Sequence, residues 1–106
     1  RRDNLLENTA IFVFGDNGRC LIRGKQWLYD PGTHVPLLLR FPGRVPAGAV
    51  RRDPVLSLDI TATTLSLAGL PLPPSMHGQD LLGNAKARTR IFTARDRCDM
   101  TVDRIR

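Results

Sequence analysis

The chain has 106 residues, of which 42% are hydrophobic and 25% are charged, and its formal net charge is +6. This length excludes more than one domain of ordinary size, and no apolar run approaches the ~20 residues of a membrane-spanning helix. Two cysteines exclude a disulfide-dense scaffold. The basic excess points to an anionic partner, but acidic and basic residues alternate near the C-terminus, as in Arg95-Asp96-Arg97, which favours an ordinary solvated surface.

The two ends of the sequence look cut. The chain begins with Arg1-Arg2-Asp3, without a methionine and without the apolar stretch of a signal peptide, so its compartment is not predicted from this start. It ends inside a patterned stretch, residues 100–106. We therefore expect residues 1–106 to be an incomplete part of a longer domain.

Three short apolar runs predict strands. Residues 9–14 are rich in β-branched and aromatic side chains, and the turn sequence Gly15-Asp16-Asn17-Gly18 ends this run. Residues 35–39 and residues 91–94 form the second and third runs. Because hydrophobicity in the first run does not alternate, we expect that strand to be covered on both faces, as in a parallel sheet.

The clearest helix lies between the second and third runs. We expect it to begin at Asp59 or Ser57, whose side-chain oxygen would accept a backbone N–H, and to end at Gly69, since Pro71 prevents continuation. Residues 70–83 contain three prolines and predict an extended connector. This order of elements predicts an α/β fold, with a partly parallel sheet and a flanking helix.

The polar residues after the first strand are candidates for metal binding. Asp16 and Asn17 offer carboxylate and amide oxygens, which suit Ca²⁺ or Mg²⁺, and ligands of open α/β sheets gather beyond the carboxyl ends of strands. Lys25 is a candidate for binding a tetrahedral anion. Taken one at a time, an ordinary turn and an exposed lysine are the simpler interpretations.

Taken together and in order, these motifs resemble the second half of the sulfatase catalytic domain, as in bacterial arylsulfatases and N-sulfoglucosamine sulfohydrolase-like sulfatases. The resemblance covers nearly the whole chain, and the ordered set is specific although no single motif is. The motifs that carry it are Gly15-Asp16-Asn17-Gly18, Gly24-Lys25, Leu28-Tyr29-Asp30-Pro31-Gly32, Val35-Pro36-Leu37, Phe41-Pro42-Gly43, the helix with Leu58-Asp59-Ile60, His77-Gly78-Gln79-Asp80-Leu81-Leu82 and Phe92-Thr93-Ala94-Arg95-Asp96-Arg97.

The resemblance implies an alkaline-phosphatase-like α/β fold and hydrolysis of a sulfate ester or sulfamate carried by a small molecule or glycan. It implies that Asp16 and Asn17 are two ligands of one Ca²⁺, and that Lys25 is a catalytic residue that contacts the sulfate group. Family members tend to be periplasmic or secreted. The fold, the metal ion and the substrate class are expectations from the resemblance alone.

Three further residues are candidates for substrate binding. His34 lies where sulfatases often have Arg or His, although a hydrogen-bonded histidine at the start of a strand is an alternative. Arg95 and Arg97 follow the third run, and an arginine fork matches sulfate or carboxylate oxygens. Salt bridges to neighbouring aspartates are the alternative role for both arginines.

The nucleophile of the family does not match any part of this chain. The resemblance implies a formylglycine made from the first residue of Cys/Ser-x-Pro-x-Arg. Cys20-Leu21-Ile22-Arg23 lacks the proline and has the arginine one position too early, and Cys98 does not fit either. We therefore expect the formylglycine, and the two aspartates that complete the metal site, upstream of Arg1. The isolated chain is expected to be inactive.

Two other functions stay open. A phosphonate or phosphodiester hydrolase of the same superfamily would need a similar cradle for anionic oxygens. A noncatalytic basic module would bind polyanions, although aromatic residues are not interleaved with its arginines and no nucleic-acid recognition motif is present. The arginines of this basic module would be Arg88, Arg90, Arg95, Arg97, Arg104 and Arg106.

Trp27 is expected to serve packing more than sugar binding.

Overall fold

The structure, a computed structural model, describes Asp3 and residues 5–95. These residues form the elements of a partial α/β layer, and the complete alkaline-phosphatase-like sheet stays a prediction. Within this part of the chain, no helix is both long enough and apolar enough to cross a bilayer. The elements are a 3₁₀ helix at Leu6–Asn8, strand β1 at Ile11–Phe14, helix α1 at Asp30–Thr33, strand β2 at Leu37–Arg40 and helix α2 at Leu58–Leu67.

Strands β1 and β2 are neighbours in a two-stranded sheet. Gly15, directly after β1, donates its N–H to the carbonyl of Pro36, directly before β2, at 3.1 Å. The end of one strand therefore faces the start of the other, so the strands run antiparallel. The prediction of a parallel arrangement is wrong for this pair, because the chain returns through a loop instead of the crossover connection that parallel strands need.

Two further expectations about the strands are wrong in the described part of the chain. Residues 91–94 form no strand, and only an isolated bridge is present, at Arg95. Val13 and Phe14 of β1 are 57% and 48% exposed, so the first strand is not covered on both faces. An unbroken apolar run therefore predicted the strand correctly but not the layer that would cover it.

Helix α2 ends where the sequence predicts. Gly69 adopts a φ of +71°. Its N–H donates to the carbonyl of Ser66, and the N–H of Leu70 donates to the carbonyl of Leu65, both at 3.0 Å. This pair of bonds is the Schellman motif, in which glycine adopts the left-handed conformation at little steric cost.

The predicted cap at the other end of α2 is wrong. Ser57 occupies the cap position but its side chain makes no capping hydrogen bond, and Asp59 lies within the first turn and is fully buried. The Asp59 carboxylate instead accepts the N–H of Leu56, upstream of the helix, at 2.8 Å. Asp59 therefore ties the segment before the helix to the helix itself.

The connector after α2 packs against it through polar contacts. The hydroxyl of Thr63, which is fully buried, donates to the carbonyl of Asp59 at 2.6 Å and accepts the N–H of Leu81 at 2.9 Å. The hydroxyl of Ser66 donates to the carboxylate of Asp80 at 2.6 Å. Threonine and serine lower helix propensity, but here their hydroxyl groups join the helix to the connector.

The described residues divide into two compact units. Of the described residues, the first contains those up to Phe12 and the stretch Leu39–Ile91, which includes α2 and the connector. The second contains Val13–Leu38 and residues 92–95.

Candidate active site

Four of the predicted site residues lie on one loop, residues 15–36, which we call the β1–β2 loop. Asp16 and Asn17 follow β1 after Gly15, Lys25 lies near the middle of the loop, and His34 lies close to the start of β2. The whole loop belongs to the second compact unit. The candidate residues are therefore positioned by the internal folding of a single loop.

Glycines allow the β1–β2 loop to fold closely on itself. The N–H of Gly18 donates to the carbonyl of Gly32 at 3.1 Å. A Cβ atom on Gly32 would lie 2.1 Å from the carbonyl oxygen of Trp27 and 2.4 Å from that of Gly24. Gly32 is not among the glycines with a positive φ, so a left-handed backbone does not explain its presence. Its role is to allow close approach of the backbone.

Asp16 and Asn17 offer oxygen atoms that are not used by the rest of the described chain. Both residues are exposed. The Nδ2 of Asn17 donates to the carbonyl of Gly18 at 3.2 Å, which leaves its Oδ1 for another partner. The carboxylate of Asp16 makes no hydrogen bond or ion pair with described residues. Hard oxygen donors of this kind fit Ca²⁺.

These two residues are too few to hold Ca²⁺ by themselves, because the ion takes about six to eight oxygen ligands. Among the residues that the structure describes, no group of three or more His, Cys, Asp or Glu side chains is arranged to hold a metal ion. Asp16 and Asn17 alone therefore do not make a calcium site, and their place in a larger one stays a prediction.

Lys25 lies at an exposed turn with an unusual backbone. Its N–H donates to the carbonyl of Arg19 at 2.8 Å, which folds the turn back on the start of the loop. Arg23 and Gln26, on either side, have φ values of +61° and +74°, a region that non-glycine residues rarely adopt. The Lys25 ammonium makes no hydrogen bond or ion pair within the described chain. It lines an open groove with Cys20, Leu21, Ile22 and Gln26.

His34 makes a local contact. Its Nδ1 lies 3.5 Å from the carboxylate of Asp30, four residues earlier, and both side chains are largely exposed. Its N–H donates to the carbonyl of Asp30 at 2.8 Å, closing helix α1. Substrate contact by His34 stays a prediction.

Arg95 and Trp27 belong to a row of neighbouring cationic and aromatic side chains, Arg95, Trp27, Tyr29 and Arg23, which we call the cation–aromatic stack. The guanidinium carbon of Arg95 lies over the Trp27 ring, 4.4 Å from its centroid. The Trp27 and Tyr29 rings are 6.3 Å apart, and the guanidinium carbon of Arg23 lies 5.3 Å from the Tyr29 centroid. Arg97, the other predicted arginine, lies outside the described residues.

A buried ion pair in the first unit was not predicted. The Arg88 guanidinium donates to both carboxylate oxygens of Asp59, at 2.6 and 2.8 Å, and the N–H of Gln79 donates to the same carboxylate at 2.7 Å. Burial raises the pKa of Asp59, but these hydrogen bonds and the one from Leu56 outweigh it and hold the pKa below its ordinary value.

This ion pair removes Arg88 from the candidate polyanion-binding arginines, because its fork is already occupied by Asp59. A signal for the pair was present in the sequence. Asp59 lies one helical turn before Ala62 and Thr63, on the buried face of α2. A carboxylate on a buried face needs a cationic partner, since an unpaired buried charge is very costly.

Comparisons with known proteins support the resemblance. A family model described as N-sulphoglucosamine sulphohydrolase, C-terminal, matches residues 20–96. This range contains Lys25, His34 and Arg95 and begins after Asp16 and Asn17. No solved structure gives a significant match to the chain.

Several curated sulfatases are similar to the chain. The ulvan-active sulfatase of Formosa agariphila is 40% identical over 106 residues, which cover 98% of this chain and 18% of that protein. The N-acetylgalactosamine-6-sulfatase of Canis lupus familiaris is 39% identical, covering 72% of this chain and 17% of that protein. Arylsulfatase K of Homo sapiens is 35% identical, covering 74% and 15%. The chain spans less than a fifth of the length of these relatives. Since the family model covers well over half of the chain, the protein belongs to the sulfatase family, as a C-terminal part of the N-sulphoglucosamine sulphohydrolase type.

Proposed function

We propose that this chain forms part of the active site of a longer polypeptide that hydrolyses a sulfate ester or sulfamate of a small molecule or glycan. Family membership and the unused polar groups on the β1–β2 loop support this proposal. The observation that carries it is the Lys25 ammonium, which has no partner in the described chain and lies on a loop folded tightly by glycine contacts.

Three residues of the β1–β2 loop, Lys25, Asp16 and Asn17, have roles in the proposed reaction. The Lys25 ammonium donates hydrogen bonds to the anionic oxygens of the sulfate group and offsets the negative charge that grows on the leaving oxygen. Asp16 and Asn17 contribute a carboxylate and an amide oxygen to a Ca²⁺ site. When bound, Ca²⁺ would polarise the sulfate oxygens as a Lewis acid. The nucleophile, a formylglycine, would be supplied from outside this chain, so the chain alone would be inactive.

The experiment uses the full-length protein that carries this chain and measures hydrolysis of an aryl sulfate. Lys25→Ala is expected to lower kcat by about 10²- to 10³-fold, the typical loss for one electrostatic donor at a reacting centre. Asp16→Ala is expected to lower activity and to weaken Ca²⁺ binding, measured by calorimetry on the same protein. Lys86→Ala removes the other lysine of the chain, which is also exposed, and serves as the matched control.

Unchanged turnover in both Lys25→Ala and Asp16→Ala would contradict the site assignment. A melting temperature close to that of the unsubstituted protein shows that lost activity does not arise from unfolding. The alternative within the superfamily is tested in parallel. Both reactions use a similar cradle for anionic oxygens, so the two substrate classes have to be compared directly. A higher kcat/KM for aryl phosphodiesters or phosphonates than for aryl sulfates would favour a phosphoryl hydrolase.

A further inference from the structure

Arg23 presents an unused cationic fork two residues before the candidate sulfate-binding lysine. Its guanidinium lies over the Tyr29 ring and makes no hydrogen bond or ion pair with the rest of the described chain. A cation–π contact needs no conventional hydrogen bond, so the N–H donors around the edge of the guanidinium stay available. That edge matches two oxygens of a sulfate or carboxylate at once.

The surface around Arg23 is suited to a sugar. Tyr29 is 50% exposed and Trp27 is 38% exposed, so both rings of the cation–aromatic stack reach solvent. Aromatic rings offer an apolar surface that can pack against the C–H groups of a ligand. The sequence predicted that Trp27 serves packing more than sugar binding, and one part of its ring contacts the Arg95 guanidinium. Its exposed part joins the surface that Tyr29 provides.

The backbone keeps Arg23 close to Lys25. Two residues span at most about 7 Å, so the Cα atoms of Arg23 and Lys25 lie within roughly one sugar residue of each other. Arg23 holds a φ of +61° where glycine would adopt this conformation more easily. A strained residue of this kind persists where the surrounding structure enforces it, and such residues cluster at ligand-binding sites.

We propose that Arg23, supported by Tyr29, binds a second anionic group of the substrate next to the sulfate bound by Lys25. This inference rests on the proposed function and narrows its substrate class. The substrate is a sulfated sugar that carries at least one more negative charge, either a second sulfate or a carboxylate. Tyr29 holds the guanidinium in place, and Arg23 supplies the fork that recognises the second anion.

The test compares substrates that differ in charge, using the full-length protein. One disaccharide carries one sulfate, a second carries two sulfates, and a third carries one sulfate and one carboxylate. Arg23→Asn removes the guanidinium, and asparagine tolerates a positive φ. It is expected to lower the ratio of kcat/KM for a doubly charged over the singly charged substrate about tenfold, which corresponds to about 1.4 kcal/mol. Arg23→Lys keeps the charge without the planar fork and is expected to lie in between.

Arg44→Asn is the matched control, because Arg44 is an exposed arginine in the other compact unit. Its substrate ratio should stay within about twofold of the unsubstituted protein, since Arg44 lies outside the β1–β2 loop that carries Arg23 and Lys25, and exposed charges are screened by salt. Tyr29→Leu removes the ring beneath Arg23 without altering the strained residue. It should shift the ratio in the same direction, so the proposal is tested even if Arg23→Asn does not fold.

An unchanged ratio in Arg23→Asn, or an equal fall in Arg44→Asn, would overturn the proposal. A fall with only one of the doubly charged substrates identifies the second anion as sulfate or carboxylate. If no sulfate ester is hydrolysed at all, the proposed function fails. The Kd of the doubly sulfated disaccharide, measured by calorimetry in both Arg23 variants, then still decides whether Arg23 binds the second anion.

Discussion

Asp59 lies in the first turn of α2 and Asp16 follows β1, and the two aspartates differ in how many hydrogen bonds their carboxylates accept. The carboxylate of Asp59 is fully buried and accepts four N–H bonds, two from Arg88 and one each from Leu56 and Gln79. The carboxylate of Asp16 is exposed and accepts none from the described residues. In the α2 unit the charge is already neutralised by the fold. On the β1–β2 loop, charged groups keep their full capacity to bind a ligand.

The largest expected effect on stability comes from breaking the Asp59–Arg88 pair. Asp59→Asn keeps the size of the side chain but places an NH₂ group against incoming N–H donors and leaves Arg88 without its counter-charge. Removing one partner of a buried ion pair costs about 3–5 kcal/mol. We therefore expect the free energy of unfolding, measured by urea denaturation, to fall by about that amount.

The matched control is Glu7→Gln, which makes the same chemical change in an exposed pair. Glu7 and Arg40 are 3.5 Å apart, with side chains that are 73% and 47% exposed. Such pairs contribute about 0–1 kcal/mol, so this variant should change stability little. Equal losses in Asp59→Asn and Glu7→Gln would show that burial does not separate the two kinds of charge.

A smaller loss is expected from Gly32→Ala, which tests whether close backbone contacts organise the β1–β2 loop. The added methyl group would meet two carbonyl oxygens at distances far below van der Waals contact. Overpacking of this kind costs about 1–3 kcal/mol. The melting temperature should fall, and aryl sulfate turnover per folded molecule should fall with it. Gly43→Ala is a poor control because Gly43 has a φ of +76°. Ala49→Gly, at an exposed position outside the loop, is a better one.

The smallest effect is expected on mild acidification. The pKa of Asp59 is lower in the folded chain than its ordinary value of about 3.9, so the unfolded chain takes up the proton first as pH falls. The stabilisation from Asp59 is therefore complete above that ordinary value and is lost as pH falls through the folded-state pKa. The difference in unfolding free energy between the unsubstituted protein and Asp59→Asn should shrink below about pH 4. A constant difference down to about pH 3 would contradict this role.

Local signals predicted the elements that depend on neighbouring residues. Apolar runs predicted β1 and β2, and Gly69 predicted the end of α2, because strand propensity and the Schellman motif are decided within a few residues. The antiparallel pairing and the missing strand at residues 91–94 depend on contacts between distant parts of the chain. The same holds for Asp59, whose partners Gln79 and Arg88 are 20 and 29 residues away.

The sequence indicated the candidate site through the order of its motifs, and much less through the chemistry of each residue. Asp16, Asn17 and Lys25 are individually consistent with an ordinary turn and an exposed lysine, and only their sequence order indicated a sulfatase. The cation–aromatic stack was not predicted, since the sequence does not show that Arg23 and Arg95 lie over neighbouring rings. Only the structure shows which side chains the loop residues contact.

The long sequence separation within the Asp59–Arg88 pair matters for dissecting this protein into smaller pieces. A piece that ends before residue 88 would keep the Asp59 carboxylate on the buried face of α2 and lose the Arg88 guanidinium that neutralises it. A fully buried anion without its counter-ion is among the most unfavourable arrangements in a protein interior. Residue 88 thus sets the earliest C-terminal boundary at which α2 and its connector can be separated from the remaining C-terminal residues with their electrostatics intact.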